Sequence, residues 1–354
     1  MTGQDPTLAK VDQLTLATLY LCNISYARDI TTIPALIEKT PLLGSGGSWK
    51  RLWGPAQTSD QSNLAFVAGY SVSGQVQSIC VTIRGTNIYL GEDIWGIFEQ
   101  IWQDIGGTSQ VSPSWAPGTH IASGTAEGLT DIEGLTDPTT NQSLGNYLTN
   151  FLAANSNVTC LVTGHSLGGC LATVVAPWIL SIRPSSYKGT IQPITFAAPT
   201  AGDPAFAAYY DSKFATARRF QNTLDIIPLA LQDLLDIEFI YSQFRLYTPD
   251  IVTAGIVGMQ FWLDYYTMSY EQPARGAQIL NGIFLVQQGK PDWYAEALYQ
   301  HHPATYRMLL TIGSVDVSAL PQSTTKLGSE ARIAKRIGSI DDVRKRLATL
   351  RKAK

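Results

Sequence analysis

What the sequence lacks narrows the reading at once. Its 354 residues contain no run of 18 apolar residues, so no segment is expected to cross a bilayer as a helix. Cysteine is scarce: Cys22, Cys80, Cys160 and Cys170 are the whole set. None has metal-ligand spacing and three lie in apolar strand or helix patterns, so they read as buried free thiols. Neither a disulfide framework nor an exported origin is indicated. Charge is sparse as well. Charged residues make up 15% and the net charge is −3, which gives no overall nucleic-acid signature. No internal repeat is present. There are only four histidines, a scarcity that becomes useful below.

What is there is apolar material, 45% of the chain. That suffices for a sizeable core in one large α/β domain or two smaller ones. Residues 14–24 are fairly apolar and Ser25-Tyr26-Ala27 loosely fits a cleavage site. The preceding stretch has Asp5 and Asp12 against Lys10, not a positive leader. Residues 7–28 therefore read as an amphipathic helix packed on the domain. The compartment stays open, cytoplasmic or exported without a clear signal peptide.

The chain is organised around residues 158–176, VTCLVTGHSLGGCLATVVA. Val158, Cys160, Leu161 and Val162 form a short apolar run that predicts a strand. Leu167, Cys170, Leu171, Val174 and Val175 recur at the spacing of one buried helix face. Between them Gly164-His165-Ser166-Leu167-Gly168-Gly169 fits G-x-S-x-G. Such a strand–turn–helix puts a serine in a strained backbone with its hydroxyl above the sheet, and only glycines leave room for it. Glycine and serine are common, so the motif alone is weak and reads equally as a solvated turn. The strand before and the helix after favour Ser166 as a nucleophile.

Around this centre, residues 40–62 read as Gly/Pro/Ser-rich loop. Leu64–Val72 and Gln77–Arg84 read as an antiparallel hairpin turning at Ser73-Gly74. The second strand ends in Arg84-Gly85-Thr86-Asn87, a loop placed to reach the nucleophile. Next comes GEDIWGIFEQIWQDIGG, with acids at its start and glycines at its end. Its aromatics, among them Trp95, Phe98 and Trp102, suit a core helix or a lid with a greasy inner face. Residues 106–146 read as a long polar loop region, 141–155 as a helix, and 190–197 and 216–222 as strands. From 229 to 300 the pattern is helical and aromatic.

From Lys326 the composition changes. Ten Lys/Arg face three Asp/Glu, a net of +7, which leaves −10 on the rest of a chain that totals −3. Ile333, Ile337, Ile340, Val343, Leu347 and Leu350 step by three or four, a basic amphipathic helix pattern. It suits docking on the acidic body or another subunit, or contact with an anionic membrane.

A serine hydroxyl needs a base, and the base needs an acid to orient it. In hydrolases with this elbow the chain order is serine, acid, histidine. His165 lies inside the elbow and His120 precedes the serine, which leaves His301 and His302. Alone, either reads as an ordinary cap or surface histidine. Asp225 follows a short strand, where a sheet-edge loop would deliver it; Asp203 is its rival.

Together these residues resemble the class 3 lipase family, the fungal-type triacylglycerol lipases and their relatives. The resemblance is carried by TIRGT, GTHIASG, VTGHSLGGCLAT, ITFAAPTAGDPAF and FQNTLDIIP. They run in the family's order from about residue 64 to 228, with the histidine segment near 301. One departure is Ser123-Gly124-Thr125 where the family has Gly-Phe. The resemblance implies an α/β-hydrolase fold: a mixed, mostly parallel sheet flanked by helices, with a lid and a C-terminal helical extension. It implies a serine carboxylic-ester hydrolase, a lipase or esterase cleaving acyl esters of lipids through an acyl-enzyme. A phospholipase or galactolipase, or a non-catalytic lipid- or partner-binding fold, is the alternative. It implies Ser166, Asp225 and one of the two histidines as the triad, with Thr86 and the Leu167 N–H as oxyanion hole. Counting back five from Tyr306 favours His301 over His302. The expected division is a hydrolase domain over 1–322, with a lid at about 87–105 and a helical elaboration at about 229–300, then a tail over 323–354. No metal or organic cofactor and no nucleic-acid partner is implied. Acyl-ester or lipid is the expected substrate, with transient contact of a lipid interface through the lid or the tail. The oligomeric state is left open.

Overall fold

The computed structural model describes residues 12–85, 109–284 and 292–312. The chain opens with helix α1, Gln13–Ile24, capped by Asp12, whose carboxylate accepts from the Thr15 N–H. A short helix α2, Ile33–Ile37, follows. Strands β1 (Gly47–Gln57), β2 (Leu64–Val72) and β3 (Gln75–Ile83) then form an antiparallel meander. The hairpin turns at Ser73 and Gly74, both with positive φ, which fits the expectation for that turn.

Strand β1 replaces part of the loop expected at 40–62. Its Gly and Pro content argues against a strand, but the strand pairs along β2 with two register shifts and buries Trp49 and Trp53. Cross-strand pairing and burial of two indoles override the local propensity.

Short strands β4 (Gln110–Val111) and β5 (Ile121–Ala122) pair with each other. Helix α3, Ser123–Gly134, and helix α4, Leu144–Ala154, come next. The former lies where a polar loop was expected. Its glycines and threonines are poor helix formers, yet it buries Thr125, Gly128, Leu129 and Ile132. Gly128 sits so close to Leu171 that a Cβ would come within 2.7 Å of that side chain.

Strand β6, Thr159–His165, leads into helix α5, Leu167–Ile182. Strand β7 (Ile191–Phe196), helix α6 (Pro204–Lys213) and strand β8 (Arg218–Asn222) follow. Beyond Asp225 the segment expected to be helical holds short 3₁₀ turns and helix α7, Asp250–Tyr265. It also holds a strand, β9, Ala277–Leu280. Helices α8 (Trp293–His301) and α9 (Pro303–Ile312) end the described chain. None of the described helices is long and apolar enough to cross a membrane.

The sheet runs β1-β2-β3-β6-β7-β8-β9 and is parallel from β3 onward. Both faces are covered, as parallel strands require. Cys160 and Val162 join the core formed with α3, α4 and α5, while Leu161 joins the core formed with α1, α2 and α9. Strand β6 lies between β3 and β7, so its C-terminal end opens at the middle of the sheet.

Asp137 ties the outer meander to the body. Its carboxylate accepts from the N–H groups of Gly54, Thr139 and Thr140 and pairs with Arg51. Asp137→Ala strands these donors and should cost about 2–3 kcal/mol in denaturant unfolding, with activity below the melting transition unchanged.

Candidate active site

The site is built at the β6–α5 turn. Ser166 has φ 59° and ψ −134°, a strained region for a residue with a side chain. Its neighbours make that backbone packable. A Cβ on Gly164 would sit 2.0 Å from the Gly168 carbonyl oxygen. One on Gly168 would sit 2.4 Å from the Ile83 carbonyl oxygen and 2.6 Å from the Gly85 nitrogen. The turn thus packs backbone to backbone against the end of β3, and the Ser166 N–H donates to Phe196 O on β7 at 3.0 Å. Leu167 opens α5, so its N–H is among those a helix leaves without an intrahelical acceptor.

Three buried side chains meet here. His301 Nε2 lies 2.9 Å from Ser166 Oγ. His301 Nδ1 lies 2.9 and 3.1 Å from the two Asp225 oxygens. A carboxylate can only accept, so Nδ1 carries the proton and Nε2 is left to accept from the serine hydroxyl. The three residues are 0–1% exposed. His301 is the last residue of α8 and Asp225 follows β8.

His302 points elsewhere. It is exposed, its Nδ1 accepts from the Ala304 N–H at 3.1 Å, and its carbonyl accepts from Thr305 and Tyr306 as α9 starts. Asp203, the rival acid, accepts from Phe206 N–H at the start of α6 and pairs with the half-exposed His120. Thr86 and the aromatic run with Trp95, Phe98 and Trp102 lie outside the described residues, as does the basic tail.

Several contacts were not anticipated. The Tyr306 hydroxyl donates to Asp225 Oδ2 at 2.7 Å and accepts from the Asn222 N–H at 3.1 Å. Burial, then the Asp225 charge and hydrogen bond, hold that phenol well above the ordinary tyrosine range. Asp225 Oδ1 also accepts from the Ile227 N–H. The Asn222 amide donates to the Gln300 carbonyl and side-chain oxygens, at 2.9 and 2.7 Å, and accepts from the Leu224 N–H. Gln300 in turn donates to Ile283 O and Glu296. The loop carrying the acid and the helix carrying the imidazole are thereby joined through side-chain amides. The pairs that link Asn222 and Asp225 to Gln300 and Tyr306 span 78–84 residues of sequence, and no local pattern marks them; only Tyr306 stands out in the sequence, as a counting mark.

His165 is buried as well, and its Nε2 lies 2.8 Å from His301 O. Burial, then the neighbouring His301 and His302, push its pKa well below the ordinary histidine value, despite the bond to the His301 carbonyl. The unfolded chain binds a proton near pH 6.5 that the folded chain refuses, so this residue's contribution favours folding above pH 6.5 and is lost as pH falls below it. From pH 7.5 to 5.5 the wild type should lose about 1 kcal/mol more stability than His165→Gln, measured by denaturant unfolding at both pH values.

Residues 80–233 match the sequence profile of the class 3 lipases. The structure of M37 lipase is similar with a TM-score of 0.72 at 22% identity, over 87% of this chain and 94% of that one. A Rhizomucor miehei lipase–propeptide complex matches at 21% identity over 62% and 61% of the two chains, with a TM-score of 0.42. Lipase II from Rhizopus niveus matches at 19% identity over 62% and 72%, also at 0.42. No curated protein matches the chain in sequence. Residues 80–233 carry the class 3 lipase profile, and the chain is a carboxylic-ester hydrolase with an α/β-hydrolase fold.

Proposed function

We propose that Ser166, His301 and Asp225 are the catalytic triad of this hydrolase and that its substrates are acyl esters of lipids. The observation that carries the reading is the continuous line Ser166 Oγ–His301 Nε2, His301 Nδ1–Asp225, with every member buried. In this reading Ser166 attacks the ester carbonyl as His301 takes its proton. The imidazolium returns that proton to the alkoxide leaving group, and the acyl group stays on Ser166. Water then attacks the acyl-enzyme with His301 again as base, releasing the acid and the free serine. Asp225 holds the imidazole in the tautomer that leaves Nε2 free, and Tyr306 and Ile227 hold Asp225. The Leu167 N–H and Thr86 are the proposed oxyanion donors; losing one such donor typically costs about 3–4 kcal/mol of barrier.

The test is substitution with a panel of esters, from soluble short-chain ester to emulsified triglyceride and phospholipid. Ser166→Ala and His301→Ala should lower kcat by about 10⁴-fold or more in folded protein. His302→Ala should stay within about threefold, because its side chain bonds the Ala304 N–H at the start of α9 and not the serine. Retained turnover in Ser166→Ala, or a dead His302→Ala beside an active His301→Ala, overturns the assignment.

Access is a second consequence. Ser166 is 0% exposed, so a substrate reaches it only after something above it moves. The amphipathic aromatic run at 87–105 is the proposed lid. Hydrolysis of one long-chain ester should rise by about tenfold or more once it forms an interface; a rate strictly proportional to dissolved ester counts against the lid.

A further inference from the structure

The triad accounts for one of the two buried histidines at this turn. The other, His165, precedes the nucleophile in sequence, lies 1% exposed, and does not touch the Ser166 hydroxyl. Its ring instead stands against that of His301, with centroids 4.7 Å apart and planes inclined by 41°. A backbone carbonyl accepts and never donates, so the 2.8 Å contact from His165 Nε2 to His301 O requires the proton on Nε2. The same ring cannot charge cheaply, because burial and the adjacent His301 both oppose protonation. Nδ1 is then a bare acceptor. It faces the Tyr26 hydroxyl, which stands 3.2 Å from both Nδ1 and the His165 carbonyl oxygen.

Tyr26 follows α1 and reaches a second part of the site. A Cβ on Gly85, in the loop that leads to the oxyanion residue Thr86, would sit 2.6 Å from the Tyr26 hydroxyl and 2.7 Å from the His165 carbonyl oxygen. One phenol therefore packs on the elbow and on the end of β3. The rings of Tyr26 and Tyr306 both meet the His165 ring edge-on, with centroids at 6.0 and 5.9 Å. The imidazole is confined by two phenols and has one donor bond to make.

We propose that His165, kept neutral and protonated on Nε2, is a positioning residue that clamps the backbone of His301, with Tyr26 holding the clamp. The inference rests on reading Ser166 and His301 as nucleophile and base. Because His165 and Ser166 are adjacent, the peptide that aims the hydroxyl also carries the donor that fixes the base. His301 ends α8, and the His302 N–H already bonds back to Tyr299. The His301 carbonyl is thus one of the helix-end acceptors left over, and His165 supplies its donor. Without that donor the helix end can shift while Asp225 still holds the ring, and the Nε2–Oγ distance loses its definition. A displacement of about 1 Å costs on the order of 10²-fold in rate.

The experiment compares His165→Phe, His165→Gln and Tyr26→Phe on a dissolved short-chain ester, at a temperature where circular dichroism shows each variant folded. His165→Phe fills the space without a donor, and kcat should fall about 30- to 100-fold with KM within about twofold. Inactivation by a fluorophosphonate, which reports attack by the activated serine without the later hydrolysis step, should slow by the same factor. His165→Gln restores an N–H donor and should recover kcat to within about fivefold of wild type. Tyr26→Phe should give a smaller loss, about threefold to tenfold. With four histidines in the chain, selective ¹⁵N labelling resolves each ring. The His165 signals should show a neutral Nε2–H tautomer from pH 5.5 to 9, whether or not His165→Phe folds. Wild-type kcat in folded His165→Phe, equal losses in Gln and Phe variants, or an Nδ1–H or charged His165 overturns the clamp. Activity surviving in Ser166→Ala would instead overturn the triad on which the clamp rests.

Discussion

The backbone of Ser166 is the constraint on which the rest of the site depends. Its φ of 59° holds only because the chain on both sides lies against other backbone. Gly164 meets Gly168, and Gly168 meets the end of β3, at separations that no side chain tolerates. The parallel arrangement of β3, β6 and β7 brings those backbones together at the C-terminal ends of the central strands. In exchange for a cost on the order of 1–3 kcal/mol in an unfavourable dihedral, the fold obtains a hydroxyl at the strand end and a helix N-terminus directly behind it. The large cores on both faces of the sheet supply the stability that keeps this turn in place.

The imidazole is held differently. It ends a helix, α8, that packs at the far side of the site, and its geometry depends on polar groups that are buried and paired. Asp225, Tyr306, Asn222, Gln300 and Glu296 form a run of hydrogen bonds between β8 and α8. Buried groups of this kind stabilise when every one has a partner and destabilise when one is lost. The network therefore selects a single relative position of strand and helix, which an apolar contact of the same area would not.

Local patterns made part of this legible. The apolar run before Ser166 and the helical period after it sufficed for β6 and α5, and alternation sufficed for the β2–β3 hairpin. The histidine count left His301 and His302, and the resemblance favoured the one that the structure places beside Ser166. Elements stabilised by distant partners were not legible. Strand β1 has loop-like composition and exists by pairing with β2. Helix α3 has weak propensity and exists by packing on α5. Strand β9, in a stretch read as helical, is short and pairs only along β8. The contacts of His165 lay beyond any window for the same reason: Tyr26 is 139 residues before it and His301 is 136 after it.

The central claim is that the Ser166 hydroxyl is the one nucleophile and that His301 activates it. Covalent labelling tests it most directly. The folded protein, treated with a fluorophosphonate and digested for mass spectrometry, should carry a single adduct on Ser166, formed far more slowly in His301→Ala. An adduct on another serine, or none on folded, active protein, would contradict the account.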